Sequence, residues 1–223
     1  MTTHKLMLCF LDETGTLNIN NIKQQYWGLG LIAHPSPDDL VCSLHQCHEG
    51  LCSLLKKDPS RLEFHFKEVT KTSESLYLNC LNYLRKDKHW KFFYLIINLN
   101  NPNFIKPLNA QQEWEYYLRW TKWLLTRSLS INDNIGFLLA DYYRRPNGKT
   151  SSLADLPAIL PEVIDTLQVQ SQGVLLVQMA DLLLGGSIYE GKDKVKLNIS
   201  KRVKLIKVEL GKSRFRRWNV KLK

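Results

Sequence analysis

The chain has 223 residues, 44% hydrophobic and 10% aromatic, enough to bury one substantial core, and a single domain is expected. No run approaches the eighteen or more apolar residues of a membrane span, and the first residues hold no apolar stretch ending in a small-residue cleavage site, so a cytoplasmic protein is expected rather than a membrane or secreted one. The net charge of +10 is localised: residues 191–223 carry 13 of the 31 Lys and Arg against Asp193 and Glu209 alone, which leaves residues 1–190 close to neutral.

Lys5 to Leu11 is a nearly continuous apolar run that stops at Asp12-Glu13-Thr14-Gly15, the pattern of a buried strand delivering two acids at its carboxyl end. Tyr26 to Ala33 reads as a second strand, and the Asn-rich turn before it suggests a hairpin. From Asp38 the period changes: Leu40, Leu44, Cys47, Leu51 and Leu55 recur every three or four residues, predicting an amphipathic helix that Pro37 and two acids would start well. A second helix is predicted over Glu74–Arg85. Phe92–Leu99 is a strand by its aromatic and β-branched content, stopped at Asn100-Asn101-Pro102.

Asn109–Leu129 then reads as a long helix, and Ile135–Ala140 as a further strand that again ends in an acid, Asp141. Leu153–Leu167 is predicted to be helical, interrupted by Pro157 and Pro161, and Val174–Tyr189 to be a buried helix, apolar on most sides. Strands and helices alternate after an opening hairpin, so the fold class is α/β with a mixed sheet flanked by helices. Such folds place ligands beyond the carboxyl ends of their strands, which points at Asp12 and Asp141.

Acids stand in otherwise apolar surroundings at Asp12-Glu13, Glu63, Asp141 and Asp181. An acid at a strand end is often only a cap or a loop residue. Asp181 is harder to explain that way, because it lies within Leu175–Leu184, where a carboxylate is costly to bury without a cation or hydrogen-bond donors. Gln178 precedes it by three residues on the same helical face and could orient it or a water. Converging carboxylates repel one another unless a divalent cation neutralises them, and a hard cation such as Mg²⁺ prefers oxygen ligands. Two such ions can activate a water and stabilise the leaving oxygen of a phosphodiester. The basic segment suits a polyanionic partner better than a solubilising tail or a membrane-surface patch.

Four segments together resemble the bacterial family labelled domain of unknown function 3800: Phe10-Leu11-Asp12-Glu13-Thr14-Gly15, Glu63-Phe64-His65-Phe66-Lys67-Glu68, Leu138-Leu139-Ala140-Asp141 and Gln178-Met179-Ala180-Asp181-Leu182-Leu183-Leu184-Gly185. The resemblance spans nearly the whole chain, with Thr14 where the family has Ser. It implies an RNase-H-like catalytic domain over residues 1–190, with residues 191–223 as a basic C-terminal segment packed on or extending the same domain. It further implies metal ligands at Asp12, Glu63, Asp141 and Asp181 for Mg²⁺ or Mn²⁺, two ions in all, with Glu13 and Gln178 as near neighbours. A nuclease acting on DNA or RNA is the activity implied, in a mobile-element or phage-defence setting. If the sheet order differs, Asn98 or Asn100 would replace Asp141 at the site.

His65 could position a water or the scissile phosphate, and Lys67 could contact phosphate; either could be merely structural. In the tail, Lys212 precedes Arg214-Phe215-Arg216-Arg217-Trp218, where cations alternate with aromatics as in backbone contact plus base stacking. The same stretch could be an edge strand with its apolar side packed inward. Gly148-Lys149-Thr150 lacks the upstream glycine of a phosphate-binding loop, position 143 being Tyr. Cys42, His45, Cys47, His48 and Cys52 fall within one helix, a poor frame for tetrahedral zinc, and core packing is the better reading. The competing function is an RNase-H-like module that binds nucleic acid or a partner protein without turnover. Whether the chain forms a homodimer is left open by its sequence.

Overall fold

A computed structural model describes residues 5–15, 17, 25–129, 134–143, 146 and 152–220. Six strands form one mixed sheet: β1 (Lys5–Thr14), β2 (Tyr26–His34), β3 (Lys91–Asn98), β4 (Asn134–Asp141), β5 (Val163–Val169) and β6 (Phe215–Trp218). Their order is β5-β4-β1-β2-β3-β6. Only β2 runs against the others, since β1 pairs with β4 in parallel, β4 with β5, and β3 with β6. The sheet and its flanking helices make one α/β domain, compatible with an RNase-H-like arrangement. The predicted turn of the hairpin and Gly148-Lys149-Thr150 lie outside the described residues, apart from Gly15, Leu17 and Gln25.

Among the described residues, six α-helices cover the two faces: α1 (Asp38–Leu55), α2 (Glu74–Lys86), α3 (Ala110–Leu129), α4 (Leu156–Ile159), α5 (Leu175–Ile188) and α6 (Lys194–Arg214). Alternation along the strands divides the core. Phe10, Ile32, Phe92 and Tyr94 face α1, α2, α5 and α6, while Met7, Leu11, Leu29 and Leu95 face α3 and α4. Every residue of α5 from Leu176 to Gly186 is buried, as expected of a helix apolar on most sides. Gly185 is required by packing, because a Cβ there would lie 2.6 Å from the Phe66 side chain. Among the described residues, no helix is long and apolar enough to cross a membrane.

The helix expected over Leu153–Leu167 does not form. A single 3₁₀ turn (Leu153–Asp155) and the four-residue α4 give way to β5. Pro157 is tolerated because it falls in the first turn of α4. Pro161 disfavours helical geometry at the residue before it, and Leu160 is accordingly extended (φ −128°, ψ 103°). Val163, Ile164 and Thr166 then favour the strand.

The basic segment is part of the domain. Ile199, Val203 and Ile206 of α6 are buried in the core shared with α5, and Phe215 of β6 packs against Trp90, Phe92 and Tyr94. Of its cations, Lys201, Lys204, Lys212 and Arg217 are exposed, whereas Lys207 donates to the Tyr94 hydroxyl at 2.8 Å.

Candidate metal centre

Register explains how the acids meet. Leu11 of β1 lies beside Ala140 of β4, so the next residues, Asp12 and Asp141, stand side by side at the carboxyl ends of two parallel strands. Glu13 follows, and its longer side chain brings a carboxylate oxygen to the same point: ligand atoms of Asp12, Glu13 and Asp141 all lie within 4.8 Å of one another. Asp12 is buried, the other two half-buried. A cavity of about 200 Å³ surrounds them, lined also by Glu63, His65, Lys67, Gln178 and Asp181. The four predicted acids and their three predicted neighbours therefore share one cavity, with Glu13, expected in a secondary position, inside the tightest group.

Asn98 and Asn100 are elsewhere. Asn98 is exposed at the end of β3, beyond β2 from β1, and its side chain accepts a hydrogen bond from the Asn100 N–H in a local turn.

The segment carrying Glu63 and His65 is irregular, and α5 holds it. The Phe64 N–H donates to Gln178 Oε1 at 2.7 Å, and the Phe66 N–H to Asp181 Oδ2 at 2.9 Å. Residues three apart on one helix thus grip alternate amides of an extended stretch. Phe64 and Phe66 are buried as a result, and Glu63 and His65, half-buried between them, line the cavity. The other end of Gln178 donates to the Ser171 carbonyl at 2.7 Å. Gln178 was expected to orient Asp181 or a water; instead its amide is spent on backbone, tying the Glu63 segment to the loop after β5.

Ser171, which nothing in the sequence singled out, joins the acids: its hydroxyl donates to Glu63 Oε1 (3.0 Å) and its N–H to Asp141 Oδ1 (3.1 Å). Gln178→Leu leaves the Phe64 amide and Ser171 carbonyl without these partners, at about 1–3 kcal/mol for each group left unsatisfied. A lower melting temperature with the fold retained is the expected result, checked by thermal denaturation.

His65 Nδ1 is 2.8 Å from Asp181 Oδ2 and 3.4 Å from the Lys67 N–H. The shorter, charge-assisted contact governs, so Nδ1 carries a proton and donates to Asp181. That hydrogen bond holds the imidazole pKa above its ordinary value, against the opposing effect of burial. Among the described residues, this is the single ion pair made by the acids of the cavity.

Among the described residues no Lys or Arg is paired to Asp12, Glu13 or Asp141, and these three carboxylates resist ionisation. Burial, then the charges of Glu13, Asp181 and Asp141, push Asp12 well above the usual carboxylate range. Burial and then Asp141 push Glu13 up to about 8, and burial raises Asp141. Glu13 Oε2 is buried with no hydrogen-bond partner. A buried, unpartnered carboxylate oxygen beside two further acids fits a hard divalent cation, and Asp12, Glu13 and Asp141 could hold one.

The pH dependence follows. These groups bind protons more tightly folded than unfolded, so the stability they contribute is complete below the unfolded pKa. It is lost as pH rises from the ordinary value of 4.5 to about 8 for Glu13. A cation bound there would take the place of those protons. Scanning thermal stability with Mn²⁺ or Mg²⁺ should show a gain that is small at pH 5 and grows to about 5–10 °C near pH 8 at a hundredfold excess over Kd.

The expected nucleic-acid contacts divide. Lys67 lines the carboxylate cavity. Arg214 is engaged inside the protein, its guanidinium donating to the carbonyls of Trp90 (2.9 Å) and Asp87 (3.3 Å). Arg216 lies over the Trp218 ring at 4.1 Å, Trp218 packs edge-on to Trp123 of α3, and Lys212 and Arg217 are exposed. Trp218 lines a cleft of about 540 Å³ with Arg119, Trp120, Trp123 and Arg127 on the α3 face.

The cysteine-histidine helix shows no zinc geometry: His48 is buried with Nε2 3.0 Å from the Leu62 carbonyl, and Cys42 is exposed. The chain matches none of the known protein families, curated proteins or solved structures with which it was compared.

Proposed function

We propose that this chain is a divalent-metal-dependent nuclease that hydrolyses phosphodiester bonds of DNA or RNA, as its resemblance to domain of unknown function 3800 implies. The convergence of Asp12, Glu13 and Asp141 within 4.8 Å, at the carboxyl ends of adjacent parallel strands, carries the proposal. Bound there, Mg²⁺ or Mn²⁺, as a pair, supplies a nucleophilic water and neutralises charge on the scissile phosphate.

The protein's own groups have distinct tasks. Asp12, Glu13 and Asp141 provide oxygen ligands, with Glu63 and Asp181 at the wall of the same cavity. His65, its Nδ1–H fixed by Asp181 and its pKa raised by that hydrogen bond, can act as an acid, giving a proton from Nε2 to the leaving oxygen. Lys67 offers a cation to a non-bridging phosphate oxygen. The cations of α6 and β6 give a neutral body the charge to collect a polyanion from solution. The activity is proposed for the cytoplasm, and the resemblance implies a setting in defence against phage or in the traffic of mobile elements.

The test is cleavage of labelled single-stranded, double-stranded and hybrid substrates with Mg²⁺, Mn²⁺ or chelator, comparing wild type with the double substitution Asp12→Ala/Asp181→Ala. Cutting that requires metal and vanishes in the variant is expected. Salt-sensitive binding without cutting in any condition would replace the nuclease by a module that only binds.

A further inference from the structure

A second hollow opens directly beside the carboxylate cavity and shares Thr14, Gly15, His65, Lys67 and Asp181 with it. Its volume, about 580 Å³, is within the usual range for small-molecule sites. Its chemistry differs from that of its neighbour: the half-buried Tyr26 of β2 and Tyr189 line it, backed by the buried Phe66, and Lys196 of α6 adds a cation to that of Lys67.

Two of these rings are held in place. Phe66 and Tyr189 meet edge to face at 5.4 Å and 60°. Gly185 leaves room for Phe66, and a Cβ on Gly191 would come 2.5 Å from the Tyr189 hydroxyl. That hydroxyl accepts a hydrogen bond from the Asp193 N–H at 3.0 Å, and the Asp193 side chain accepts one from the Lys196 N–H at 3.0 Å, capping α6. Tyr189 and the start of α6 are therefore fixed to one another.

We infer that this hollow receives an unpaired nucleotide adjoining the scissile phosphate, which makes single-stranded nucleic acid the substrate; the inference rests on the nuclease reading of the neighbouring carboxylates. Every base has a face that stacks on an aromatic ring, so rings of this kind grip single strands with little regard to sequence. A base within a duplex is already stacked and cannot enter a concave site without being flipped out. Lys67 and Lys196 can meet the phosphates on the two sides of that nucleotide. Continuity with the carboxylates brings the next phosphodiester to the acids, and an acidic peptide would gain nothing from stacking rings.

Binding separates this inference from cleavage. Fluorescence anisotropy with Ca²⁺ present would compare a labelled single-stranded 8-mer, the matching hairpin duplex and an abasic strand of equal charge. The single strand should bind about tenfold or more tightly than either control, on the scale of one base stack. Tyr189→Ala should remove that advantage and Tyr189→Phe keep it; Lys196→Gln should weaken single-strand and abasic binding alike. Where Tyr189→Ala does not fold, Tyr26→Ala takes its place. Equal affinity for duplex or abasic strand, tighter binding of an acidic peptide, or indifference of a folded Tyr189→Ala would overturn the inference. Cleavage is scored separately: metal-dependent cutting confined to duplex removes the inference and leaves the nuclease, whereas stack-dependent binding without cutting keeps the nucleotide site and removes the nuclease.

Discussion

Asp12→Asn should yield a protein that melts higher than the wild type in chelator above pH 8, yet gains almost nothing from added metal and cleaves no substrate. The amide keeps the shape and can still accept the hydrogen bond that Asp12 Oδ1 takes from the Glu13 N–H at 2.7 Å. It removes a charge that burial and three neighbouring acids disfavour. Without metal, the repulsion on Glu13 and Asp141 falls and stability rises by a few degrees. With metal, a ligand is missing at the centre of the group, and losing several kcal/mol of charge stabilisation corresponds to about a thousandfold or more in rate. Thermal melts with and without Mn²⁺, run beside the cleavage assay, read both effects. A variant less stable than wild type in chelator would show that Asp12 is a structural acid.

Phe215→Ala is the second large effect, on stability. The ring is 1% exposed and touches Trp90, Phe92 and Tyr94 where β6 extends the sheet past β3. Truncating a buried Phe costs about 3–5 kcal/mol, a large part of the roughly 5–15 kcal/mol that holds a domain together. A fall of roughly 10 °C or more in melting temperature is expected for a chain of this size. Removing residues 212–223 should be worse, because Arg214 and the whole of β6 go with the ring. Arg217→Ala, at an exposed position of the same strand, should move the melting temperature little. If the truncated chain instead melts like wild type and binds nucleic acid more weakly, the tail is a binding appendage.

Most strands were legible because burial leaves a plain mark. The apolar runs over Lys5–Leu11, Phe92–Leu99 and Ile135–Ala140 have no other reading in a chain of this length, and two of them end in the acids that meet. β5 is obscured in the sequence because it is an edge strand with a mixed burial pattern and follows two prolines that read as breaks in a helix. The helix α6 did carry a signal: Val195, Ile199, Val203, Ile206 and Leu210 recur at three and four residues, beneath a charge density that drew attention to partners instead.

At the site, the acids stood out against apolar neighbours. Three features of how they are arranged did not. Strand alternation sends Glu13 to the opposite face from Asp12, and only the strand ends allow their oxygens to converge. Ser171 acts through one hydroxyl and one amide in a short turn, without a pattern of its own. Gln178 looked like a partner of Asp181 because both lie on one helical face, but its partners are amides and carbonyls, which a sequence does not display.

The grip of α5 on the Phe64 and Phe66 amides reaches across 114 and 115 positions of the chain. Genetically, a lesion on α5 should therefore behave as one on the Glu63 segment. Substitutions at Gln178 and Glu63 should be epistatic, the second adding little once the first has released the segment. A selection for inactive variants would then return Gln178 and Gly185 beside the acids, although neither offers a charge to a metal or a phosphate.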